Sequence, residues 1–89
     1  MKIYKYNLKI TDEQAIRLPV GSVILSVANQ YENLRLWALV DEKSPVLEDR
    51  HIEIYGTGHE MREDDFKRRF IGTVILHPYV WHVFEKVAE

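Results

Sequence analysis

Ser22-Val23-Ile24-Leu25-Ser26-Val27-Ala28, then Asn29-Gln30-Tyr31-Glu32-Asn33, then Leu34-Arg35-Leu36-Trp37-Ala38-Leu39-Val40 is the stretch that decides the fold. Two apolar runs of strand length flank a short polar piece, and that order reads as a β-hairpin. In the first run Val23, Leu25 and Val27 fall on one face, with Ser22, Ser26 and Ala28 around Ile24 on the other. The second run is apolar on both faces and reads as a central strand. Upstream, Tyr4, Tyr6, Leu8 and Ile10 alternate with Ile3, Lys5, Asn7 and Lys9, the pattern of a half-buried strand with lysines outside. Thr11-Asp12-Glu13 is a turn, and Ala15-Ile16-Arg17-Leu18 is a short strand stopped by Pro19. Gly21 permits the reversal into the hairpin.

Downstream, Asp41 to Arg50 contains Pro45 and six charged residues and is expected to be an exposed connection. His51 to Tyr55 is a strand with Ile52 and Ile54 inward and His51, Glu53 and Tyr55 outward. Phe70 to Leu76 and Tyr79 to Phe84 are two more strands, joined by a turn at His77-Pro78. Glu60 to Arg69 lacks Gly and Pro, and its acids precede its bases in the order a helix dipole favours. One or two helical turns, or an irregular piece, are expected there. Seven short strands with frequent turn signals predict a mainly β fold, a small antiparallel sandwich or barrel, as one domain over residues 1–89.

Composition narrows the function classes. The chain has 89 residues, 46% of them hydrophobic, and no cysteine. Disulfides and thiolate chemistry are excluded. A domain this small buries a modest core, so homo-oligomerisation is expected. With 12 basic and 14 acidic side chains, no basic stripe favours duplex nucleic acid. No apolar run approaches membrane-spanning length, and the charged Met1–Tyr6 segment does not read as a secretory signal. A cytoplasmic protein without membrane attachment is the expectation.

Chemistry concentrates at Gly56-Thr57-Gly58-His59, directly after a strand. Glycines around a threonine let the backbone turn tightly and bare its N–H groups, and bare amides in a turn form a nest for an anion. The Thr57 hydroxyl and the His59 ring add donors. Tyr55, Arg62, Trp37 and His82 complete the expected ligand site, as aromatic and cationic partners for a small phosphorylated molecule. The plain alternative is a tight turn whose glycines only take positive φ. The four histidines show no metal-ligand spacing. No serine lies in a nucleophile elbow, and no pair of carboxylates is apparent. Neither a catalytic residue, a metal nor a cofactor is expected, and the chain reads as a binding protein rather than an enzyme.

Several stretches occur together in a known order: Met1–Tyr6, Ile10–Gln14, Ile24–Val27, Leu36–Asp41, Gly56–His59, Phe70–Thr73 and Trp81–Glu85. In this the chain resembles a family of small proteins of unknown function widespread in bacteriophages and prophages. The resemblance covers nearly the whole chain and weakens at the charged Glu60–Arg69 segment. It implies a phage setting in the host-cell cytoplasm and supplies no catalytic residues. In that setting the expected function is counter-defence, by sequestering a phosphorylated small molecule such as an immune signalling nucleotide. The alternative is a protein–protein inhibitor of a host defence enzyme or other host enzyme.

Overall fold

The computed structural model describes residues 1–87, which form seven strands and no helix. They are β1 (Lys2–Asn7), β2 (Glu13–Pro19), β3 (Val23–Gln30), β4 (Asn33–Val40), β5 (Leu47–Gly56), β6 (Lys67–Leu76) and β7 (Tyr79–Val87). Two antiparallel sheets result, β1-β4-β3 and β2-β5-β7-β6. They face each other as an unclosed β-sandwich.

The core is the alternate face of each strand. Leu34, Leu36, Ala38 and Val40 of β4 bury against Ile52 and Ile54 of β5, Val74 of β6, Val83 of β7 and Leu18 of β2. Each such aliphatic contributes about 1.5–3 kcal/mol when fully buried, so this one cluster carries most of the stability. Arg50 and Glu85 also lie inside, Glu85 2% exposed. Arg50 Nε donates to Glu85 Oε2 at 2.5 Å, and Nη1 reaches the Ser22 carbonyl at 2.8 Å. The hydrogen bonds it donates to Glu85 hold the Arg50 guanidinium above its usual pKa against the opposing effect of burial.

Three expectations are corrected, and at 60–69 the irregular alternative forms: residues 57–66 are turn and irregular chain, and β6 begins at Lys67. Tertiary ion pairs of Arg62 and Arg68 with Glu53 override the helical propensity there. The exposed connection ends at Val46, because Leu47–Arg50 extend β5 to pair with β2. Glu53 is not on an open face; it is 0% exposed. Finally, β3 changes phase at a bulge between Ile24 and Ser26. Ile24 and Val27 therefore pack on the core, while Val23 and Leu25 face out.

The β3–β4 hairpin forms where expected, tightened to the two residues Tyr31 and Glu32. Their φ values are +52° and +63°, the left-handed pair that a type I′ turn needs and that Asn-Gly adopts with least strain. The Asn29 side chain accepts from the Glu32 amide at 2.9 Å and steadies the turn. Replacing Tyr31-Glu32 by Asn-Gly is expected to stabilise the fold by about 1 kcal/mol and raise Tm by about 5 °C. Thermal denaturation followed by circular dichroism checks it; an unchanged or lower Tm contradicts the strain.

Candidate functional site

The site begins where β5 runs out. The His59 amide donates to the Gly56 carbonyl at 3.0 Å, closing a four-residue turn. Its third residue, Gly58, has φ +87°, the conformation that a type II turn demands there. A Cβ on Gly58 meets open space, so only the backbone angle requires glycine. Gly56 is required by space instead. A Cβ there would lie 2.7 Å from the His59 ring and 3.2 Å from Trp81. His59 thus folds back over Gly56 and meets Trp81 edge-on, with ring centroids 6.4 Å apart.

The turn is a partial anion nest. The Thr57 amide is taken by the Val80 carbonyl at 3.3 Å, and the His59 amide by Gly56. Among the described residues the Gly58 amide has no partner. Beside it the Thr57 hydroxyl lies 2.7 Å from His82 Nε2, while His82 Nδ1 lies 3.0 Å from the Thr73 hydroxyl. A hydroxyl donates or accepts, so the two threonines hold the imidazole in place whether it is neutral or charged.

A groove of about 280 Å³ opens along this turn on the outer face of the four-stranded sheet. It is lined by Tyr55, Gly56, Thr57, Gly58, His59, Met61, His82 and Phe84. Six of the expected site residues therefore meet there. Tyr55 and Phe84 form an edge-to-face floor with centroids 6.0 Å apart. Arg62 stacks over Tyr55, its guanidinium carbon 5.5 Å from the ring centroid. Trp37 is not brought to the groove. It belongs to β4 in the other sheet, where it pairs with Lys5 and Ser26. A second groove, about 230 Å³, lies on the other side of the turn between His59, Pro78, Tyr79 and Trp81.

Arg62 sits where it does because of Glu53. Arg62 Nη2 and Arg68 Nε reach the two oxygens of Glu53 at 2.6 and 2.5 Å, and Arg68 also holds Asp64 at 2.9 Å. This network straps residues 57–66 across the outer face of the sheet. Burial alone would raise the Glu53 pKa, but the hydrogen bonds from Arg68 and Arg62 outweigh it and hold the carboxyl below its usual range. The same contacts raise Arg68 and Arg62.

Sequence reasoning misses Glu53 and Thr73. An acid between two isoleucines looks solvated, and Thr73 meets His82 only through the β6–β7 register. Among the described residues no cluster of three or more His, Asp or Glu side chains is arranged to hold a metal ion, and no helix is long and apolar enough to cross a membrane.

The chain belongs to the family described as a domain of unknown function (DUF7352), whose model matches residues 1–89. No curated protein and no solved structure matches it.

Proposed function

We propose that this member of the family is a phage-encoded counter-defence protein of the host-cell cytoplasm that sequesters a phosphorylated small molecule, such as an immune signalling nucleotide. One observation carries the reading: the groove gathers Tyr55, Gly56, Thr57, Gly58, His59 and His82 around a main-chain amide that no other group among the described residues uses. Phosphate oxygens accept from the Gly58 amide, the Thr57 hydroxyl and a histidine N–H, with Arg62 at the rim. The ring of the ligand lies against Tyr55 and Phe84. At about 280 Å³ the groove is at the small end for ligand sites, so it holds one nucleotide unit and not two.

Binding is favoured over catalysis by the environment of His82. Its second nitrogen meets the Thr73 hydroxyl, whereas a histidine that activates a nucleophile is backed by a carboxylate that stabilises the imidazolium. A second reading, inhibition of a host protein, is favoured by one feature, the β3–β4 tip. Tyr31 is 86% exposed there on a left-handed backbone, and exposed aromatics on rigid turns are frequent interface anchors.

Native mass spectrometry and thermal shift against nucleoside mono- and diphosphates and cyclic nucleotides separate these readings. A bound adduct with a rise in Tm is expected for at least one nucleotide. Thr57→Val, which keeps the side-chain shape and removes the hydroxyl, is expected to weaken that binding by about tenfold or more. A panel without any adduct or shift overturns the ligand reading.

A further inference from the structure

Resting on the nucleotide reading of the Gly56–His59 turn, we infer that its ligand is a dinucleotide, with its phosphate on the turn and its two bases on opposite faces of the four-stranded sheet. β5 and β7 pair Tyr55 with His82 and Gly56 with Trp81, and successive side chains of a strand point to opposite faces. His82 meets Thr73 on the outer face. Trp81 stands opposite Val74, a core residue, so its indole lies on the inner face. The turn at the end of β5 therefore has a ring site on each side, Tyr55 with Phe84 outside and Trp81 with Tyr79 inside.

Gly56, Thr57 and His59 line both grooves, so an anion held by the turn borders both. The Thr57 amide is bonded to the Val80 carbonyl, which fixes the turn against the strand that carries the inner rings. Tyr79 is 61% exposed. Its ring is tilted 38° from that of Trp81, with centroids 5.8 Å apart, and Pro78 and His59 complete the walls. Aromatic planes of this kind are stacking platforms for any base. At about 230 and 280 Å³ each groove falls short of the usual range of small-molecule sites, and the pair falls within it. Neither groove is lined by a carboxylate, in a chain with 14 acidic residues, so no lining acid opposes a bridging phosphate.

The outer face offers a competing platform for a second base. Phe70 is 55% exposed and lies 5.3 Å from Phe84 between centroids. It does not line the groove of the turn. In the β6–β7 register it stands opposite Phe84, a step further from the turn than the Thr73–His82 pair, and a base there draws the phosphate away from the Gly58 amide. The inner groove lets both bases reach a ring while the phosphate stays on the turn. Because the bases are joined through that anchored phosphate, the second binds as an intramolecular event and adds affinity without a new anion contact.

Isothermal titration calorimetry of the full chain tests this by comparing AMP, GMP, CMP and UMP with the corresponding dinucleotides, joined by one phosphate or by a pyrophosphate. A dinucleotide is expected to bind about tenfold or more tightly than its mononucleotide, the scale of one base–aromatic contact. Tyr79→Ala is expected to remove that advantage and leave the mononucleotide affinity unchanged. Trp81 fluorescence in a Trp37→Phe background reads the same contact with the groove intact; quenching by the dinucleotide and not by the mononucleotide is expected. Mononucleotides that bind as tightly as every dinucleotide overturn the dinucleotide inference and leave the nucleotide reading standing. So does an advantage that survives Tyr79→Ala and is lost with Phe70→Ala. A panel in which neither class binds overturns both.

Discussion

Glu53→Ala is expected to destabilise the fold by about 3–5 kcal/mol, because it removes one partner of a buried charge network and leaves two arginines behind. Glu53 is fully buried and is engaged by both Arg62 and Arg68. A domain of this size has about 5–13 kcal/mol in total, so the variant should be near its melting point at ordinary temperatures. The Glu53 carboxyl titrates below its usual range when folded and near about 4.3 when unfolded. The unfolded state therefore takes up the proton first as pH falls. The stabilisation is fully present above that value and is lost as pH drops through the lower folded pKa. Glu53→Gln keeps the shape and removes the charge; its Tm should be lower than that of the wild type at pH 7 and should fall less between pH 6 and pH 3. Thermal denaturation at pH 7, 6 and 3 measures this. Equal acid sensitivity in wild type and Glu53→Gln contradicts the assignment.

The network links stability to the site. Arg62 stacks on Tyr55 and Met61 lines the groove, so the strap held by Glu53 forms one groove wall. Among carboxylates here Asp64 is also lowered, first by the Arg68 hydrogen bond, and acid weakens both anchors of the strap together. Protease nicking within 57–66 should accordingly accelerate below about pH 4, the range in which carboxylates take up protons.

Period-two alternation is read correctly wherever a strand keeps one phase. Ile52 and Ile54 point inward as the pattern says. It fails where the phase changes. The Ile24/Ser26 bulge moves Val23 and Leu25 to the outside, and nothing in Val-Ile-Leu-Ser-Val marks which residue is the extra one. The turn at Gly56–His59 is legible because glycine spacing is a local signal. The partners of His82 and Arg62 are not, because they arrive from β6, β5 and the strap through register and long-range pairing. Charge order at 60–69 resembles a helix for a local reason, and a buried acid elsewhere in the chain prevents it. Residue type alone groups Trp37 with the site, and sheet membership separates it.

Gly72→Val tests how the two sheets are joined along their bulged edges. β3 and β6 run side by side without forming a ladder, and the Asn29 amide donates to the Ile75 carbonyl across the seam at 3.2 Å. Gly72 follows the β6 bulge between Phe70 and Gly72. A Cβ at this position would lie 3.0 Å from Val27 Cγ2. Val27 packs on the core, and a β-branched side chain has little rotamer freedom with which to give way. Valine at 72 is therefore expected to wedge the edges apart and destabilise by about 2–3 kcal/mol, the range of core overpacking. The wedge has one named partner, so the effect should not be additive. In a Val27→Ala background, where the opposing methyls are absent, Gly72→Val should cost at least about 1 kcal/mol less. Urea denaturation of the four proteins in the cycle gives the coupling. Additive losses would mean that Gly72 acts through its own backbone and not through the approach of β3.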